Sequence, residues 1–174
     1  MYMYYPYVSS MRASHSIHTG QNQAYAKLIT SSLAPHLQGI VLFFNHPYGT
    51  EVYVEVTGLP KYQPATKKSP QIGPHGFHIH ELGDCSIGNK QDPFQAAGGH
   101  WNPTKQPHGN HAGDFPVLFS NNGYSQMRFF TNKFKINDII GKSIIIHQGP
   151  DDYKSQPAGN AGKRLACGVI QPLM

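Results

Sequence analysis

Short apolar runs alternate with turn-forming residues along most of this chain, and no stretch carries the periodicity of a surface helix. Residues 24–31 (AYAKLITS), 39–45 (GIVLFFN) and 50–57 (TEVYVEVT) are β-branched or aromatic and roughly alternate. That pattern predicts strands with one buried face. HPYG at 46–49 reads as a tight turn between the last two. The stretch LPKYQPATKKSPQIGP that follows holds four prolines, which end any strand and carry the chain across the fold. GFHIH at 76–80 predicts the next strand, and extended segments follow at 117–120, 125–131, 143–147 and 165–170. The expectation is an all-β chain: an eight-stranded antiparallel Greek-key barrel or sandwich in one domain, with long metal-binding and active-site loops.

Composition narrows the function. At 174 residues with 39% hydrophobic content, the chain suits a soluble globular domain, and no run of roughly 18 apolar residues could span a bilayer. The formal charge is +5, but the lysines and arginines are scattered, without the basic stripe of a nucleic-acid surface. Steering of a small anion is the better use of this potential. The two cysteines, Cys85 and Cys167, form no CxxC, which argues against a dithiol redox motif or a cysteine zinc site. A single disulfide and two free thiols both remain open. Residues 1–22 are tyrosine-rich and are expected to form a loose tail before a domain at 23–174. They lack the charged-then-apolar pattern of a signal peptide, which favours a cytoplasmic over a secreted location.

The histidines carry the chemistry. Residues 81–114 read as one long loop of Gly, Asn, Pro and His, and such a loop in a small domain is normally functional. In and beside it stand His78, His80, His100, His108, His111 and Asp114. Two histidines one residue apart share a face of a strand and can reach one ion, which a helical pair could not. Three imidazoles with a carboxylate suit zinc. Six such ligands crowd a single ion, so two neighbouring metals, or one metal with a surrounding layer of hydrogen-bonding partners, are expected. His15, His18, His36 and His46 read as surface residues and His75 as structural. An HxH pair alone also occurs in cupins and carbonic anhydrases. The first would want a downstream glutamate, and the second leaves His108, His111 and Asp114 idle.

Five motifs in sequence order narrow this further: GFHIHELGDC at 76–85, AGGHWNP at 97–103, HGNHAGD at 108–114, IIIHQGPDD at 144–152 and GNAGKRLACGVI at 159–170. Together they resemble the copper–zinc superoxide dismutase family. The resemblance implies copper on His78, His80, His100 and His147, and zinc on His100, His108, His111 and Asp114. His100 would bridge the two ions as an imidazolate, which two flanking cations make accessible. Asp151 would accept hydrogen bonds from His78 and His108, and Arg164 would guide the superoxide anion. Cys85 and Cys167 would pair and brace Arg164. The implied reaction converts two superoxide radicals to dioxygen and hydrogen peroxide by alternating Cu(II) and Cu(I). One copper and one zinc per subunit and a homodimer are implied as well, while a copper-delivery partner is left unidentified. Val169, Ile170 and Leu173 are the exposed apolar candidates for the dimer contact.

The chain also departs from the eukaryotic pattern of that family. Cys85 follows His80 closely, so the resemblance does not by itself imply the eukaryotic dimer contact. The loop 148–163 lacks paired glutamates, leaving Lys154 and Lys163 as candidate steering charges. Ala158 stands where a channel-wall threonine is usual, and Trp101 stands where phenylalanine is usual and is expected to pack. A second reading is a non-catalytic copper- and zinc-binding relative, and a third is a structural sandwich. Both are disfavoured by retention of all four copper histidines and Arg164.

Overall fold

The computed structural model describes residues 23–173, so the expected tail at 1–22 lies outside the described residues. Two antiparallel sheets face each other across an apolar core. The first contains β1 (Gln23–Lys27), β3 (Gln38–His46), β4 (Gly49–Thr57), β6 (Ser125–Thr131) and β9 (Gln171–Pro172), in the order β6-β4-β3-β1-β9. The second contains β2 (Ile29–Thr30), β5 (Phe77–His80), β7 (Ser143–His147) and β8 (Arg164–Val169), in the order β2-β8-β7-β5. β4 and β6 are neighbours although β5 intervenes between them in the opposite sheet, a crossover of the Greek-key kind. None of the described helices is long and apolar enough to cross a membrane.

Alternation builds this sandwich. In β4, Val52, Val54 and Val56 are buried while Glu51, Tyr53 and Glu55 face outward. The Pro47–Tyr48 turn closes a hairpin in which His46 pairs with Gly49. β5 turns Phe77 and Ile79 into the core, so His78 and His80 lie on its other face. That face is buried too, because the long loop folds over it.

Four elements differ from the sequence reading. The single strand expected at 24–31 bends at buried Leu28, so that β1 pairs with β3 and β2 with β8, making a corner between the sheets. No strand forms at 117–120, where only Leu118 makes a bridge, to His75. Pro116 has no N–H to donate, and the Val117 N–H goes to the Tyr153 hydroxyl, 2.9 Å away. A one-turn helix, α1 (Ile136–Ile139), buries Ile136 and Ile139 and is too short to show a period. The short β9 was also not foreseen, and with it the described strands number nine.

Candidate metal centre

Four segments converge on one buried cluster. β5 supplies His78 and His80, the long loop supplies His100, His108, His111 and Asp114, and the end of β7 supplies His147. Asp151 follows in the loop 148–163. Isolated bridges of His78 to Asp114 and of His80 to His100 hold the long loop against the edge of β5. The donor atoms fall into two groups, His78/His80/His100/His147 and His100/His108/His111/Asp114, each with its atoms within 4.8 Å of one another. His100 belongs to both.

Hydrogen bonding fixes which nitrogen of each ring is free. His78 Nε2 and His108 Nε2 donate to the two oxygens of Asp151, each at 2.8 Å. His80 Nδ1 donates to the Gly98 carbonyl at 2.9 Å, and His147 Nδ1 to the Gly162 carbonyl at 3.1 Å. The other nitrogens of these rings therefore present lone pairs. His80 Nε2 and His147 Nε2 face each other at 3.3 Å, an arrangement suited to a cation between them. His78 Nδ1, His100 Nε2, His108 Nδ1 and His111 Nδ1 are buried with no hydrogen-bond partner among the described residues. Buried polar atoms without partners are costly, and metal coordination removes that cost. The donor chemistry fits as well: four imidazoles suit copper, and three imidazoles with a carboxylate suit zinc.

Electrostatics point the same way. Burial, reinforced by neighbouring histidines, holds His78 and His80 neutral far below the usual imidazole range. Burial brings His147 down to about 3. Burial also lowers His111, and Asp114 works against it only in part. Burial would raise Asp114, but the hydrogen bond from His100 and the surrounding imidazoles outweigh it and bring that carboxyl to about 2. Neutral imidazoles beside an ionised carboxylate are the forms that bind a metal.

Arg164 opens β8 opposite His147. Its guanidinium donates to the carbonyls of Phe94 (2.6 Å) and Gly98 (2.7 Å), and among the described residues it makes no ion pair. The Gly98 carbonyl thus anchors both His80 and Arg164. Cys85 and Cys167 form a disulfide, tying the long loop to β8 three residues beyond Arg164. His75 is buried against the carbonyls of His147 and Pro60, so it is structural, and His36 and His46 are exposed. His15 and His18 lie outside the described residues. Trp101 packs against the core edge-on to Phe134. Lys154 and Lys163 are exposed, and Ala158 is half-buried.

The sequence reading missed several supports. Gly159 leaves no room for a side chain: at φ +64, an added Cβ would fall 1.9 Å from Asp151 Oδ1 and 2.5 Å from His108 Nε2. Gln156 accepts the His108 N–H, and Lys133 donates to the His111 carbonyl. Neither residue sits in a motif that announces such a contact.

The family model for copper/zinc superoxide dismutase (SODC) matches residues 37–170. The chain belongs to the copper/zinc superoxide dismutase family. It is 38% identical over 152 residues to a Cu-Zn superoxide dismutase of Deinococcus radiodurans, covering 78% of each protein. It is 34% identical over 154 residues to one of Legionella pneumophila, covering 84% of this chain and 85% of that protein. The structure of a Cu/Zn superoxide dismutase from Brucella abortus superposes with a TM-score of 0.67 at 29% identity, covering 86% of this chain and 99% of that one. The chain is accordingly an enzyme of this type, with superoxide as substrate and copper and zinc as cofactors.

Proposed function

We propose that His78, His80, His100 and His147 hold copper, that His100, His108, His111 and Asp114 hold zinc, and that dismutation turns on the shared ring of His100. The observation that supports this most strongly is the two-sidedness of that ring. Its Nδ1 lies 3.0 Å from Asp114 Oδ1, while its Nε2 is buried without a partner among the described residues and the ring lies 3.9 Å from that of His78. When bound, copper supplies the one-electron couple by which one superoxide becomes dioxygen and the next hydrogen peroxide, and zinc adds a fixed positive charge.

The protein's own groups do the rest. With both metals bound, His100 Nε2 would be the atom that takes up a proton and passes it to the reduced oxygen. Asp151 holds His78 and His108 in the tautomers that leave their Nδ1 atoms free. Arg164 uses two of its five N–H donors on the Phe94 and Gly98 carbonyls, and the others remain to hold a small anion. A catalytic domain spanning 23–174 and a homodimeric assembly belong to the same proposal. Of the three apolar residues considered for the dimer contact, Ile170 is buried within its own core, Val169 is half-buried and Leu173 is exposed. Solution mass tests the dimer.

Replacing His100 by Ala tests the site. Dismutation by the copper- and zinc-loaded variant is expected to fall by at least about a hundredfold, the scale of a lost proton-transfer group. Retention of the parent rate would remove His100 from the mechanism.

A further inference from the structure

The loop 148–163 meets the metal-binding loop at Tyr153, whose hydroxyl and carbonyl face that loop while its amide N–H holds Asp151. Its amide N–H donates to Asp151 Oδ1 at 2.7 Å. Its hydroxyl accepts the Val117 N–H at 2.9 Å and donates to the Phe115 carbonyl at 3.3 Å. Its own carbonyl lies 2.3 Å from where a Cβ at Gly109 would stand, so the backbone at 109 is pressed directly against it. Tyr153 adopts φ +56, a left-handed conformation that a bulky residue takes only when its surroundings impose it. Three residues on, Gln156 Oε1 accepts the His108 N–H at 2.9 Å. The contacts therefore grip the metal-binding loop on both sides of His111 and Asp114: at 108–109 before them and at 115–117 after.

We propose that Tyr153 is a positioning residue for the zinc half of the centre, its hydroxyl fastening the 115–117 backbone and its amide aiming Asp151 Oδ1 at His108. The inference rests on the assignment of His100, His108, His111 and Asp114 to zinc. It is selective. His80 and His147 are anchored separately on the Gly98 and Gly162 carbonyls, and His78 takes the other oxygen of Asp151.

The test compares the full chain with its Tyr153→Phe variant, which keeps the ring and backbone and removes only the hydroxyl. Both are loaded with copper and zinc, and in parallel with Co(II) in place of zinc. Release of zinc to a chromophoric chelator is expected to be about tenfold faster in the variant, with copper release within about twofold of the parent. The visible Co(II) bands are expected to shift. Gln156→Leu is expected to act in the same direction. An unchanged zinc release rate and Co(II) spectrum would overturn the proposal, even if the variant melted at a lower temperature, because the hydroxyl would then be only structural. Equal acceleration of copper and zinc release would overturn it too. A parent that itself gives no Co(II) spectrum would instead sink the zinc assignment, and the proposal with it; that result is distinguishable because it appears without any substitution.

Discussion

Burial keeps His78, His80 and His147 uncharged in the folded protein, with His147 titrating only at about 3. In the unfolded chain the same rings protonate near the ordinary value of about 6.5. A depressed folded value means that the unfolded state binds more protons between these limits. For His147 the stabilisation is therefore complete above about 6.5, erodes as the pH falls, and is gone below about 3. The metal-free protein is expected to lose melting temperature steadily from pH 6.5 to 4.5 in calorimetry, and a flat profile there would contradict the buried-neutral assignment. At this scale the sequence was most informative about groups whose chemistry demands a residue type. The eight side chains His78, His80, His100, His108, His111, Asp114, His147 and Asp151 were read from spacing and family motifs, and all of them meet in one cluster. The anchors supplied by backbone were not legible. The Gly98 and Gly162 carbonyls orient His80 and His147, but every residue has a carbonyl, so no residue type marks them. Tyr153 holds Asp151 of its own loop through its amide, while its hydroxyl and carbonyl meet two distant segments, at 115–117 and at 109, which only folding brings together.

At the scale of elements, both an alternating segment and a continuous apolar run transferred well, and segments diverted by proline or by a change of sheet did not. The segments 125–131 and 143–147 are strands at the expected bounds, because both are runs of good strand formers without a proline. The segment 117–120 failed because its hydrogen bonding is diverted to the loop that carries Asp151. The bend at Leu28 escaped because residues 24–31 keep one period while changing sheets. Among connections, the disulfide matters most for function. It joins residues 82 positions apart, and closing such a loop contributes about 4 kcal/mol in the chain-entropy account. Cys85→Ser is expected to lower the melting temperature by roughly 10 °C. It should also lower activity, since the segment bearing the Phe94 and Gly98 carbonyls that hold Arg164 loses its tie to β8. Calorimetry and a dismutation assay on the same sample check both effects; an unchanged rate would uncouple the bridge from Arg164.

Across the whole molecule, a formal charge of +5 favours encounter with an anion. Arg164 is half-buried and without an ion pair among the described residues, and the steering role proposed for it is testable. Arg164→Ala is expected to slow dismutation and to flatten its dependence on ionic strength. The rate of the variant, followed from low salt to about 0.15 M, where screening acts over about 8 Å, checks this. A salt dependence equal to the parent's would assign steering to other cations such as Lys154 and Lys163. The central claim is that one imidazole ring, His100, is shared by both metals, and electron paramagnetic resonance of protein holding copper and Co(II) tests it most directly. Two paramagnetic ions joined through one ring couple, so the Cu(II) signal is expected to vanish at full loading and to return when cobalt is removed. A Cu(II) signal of full intensity with both ions bound would contradict the account.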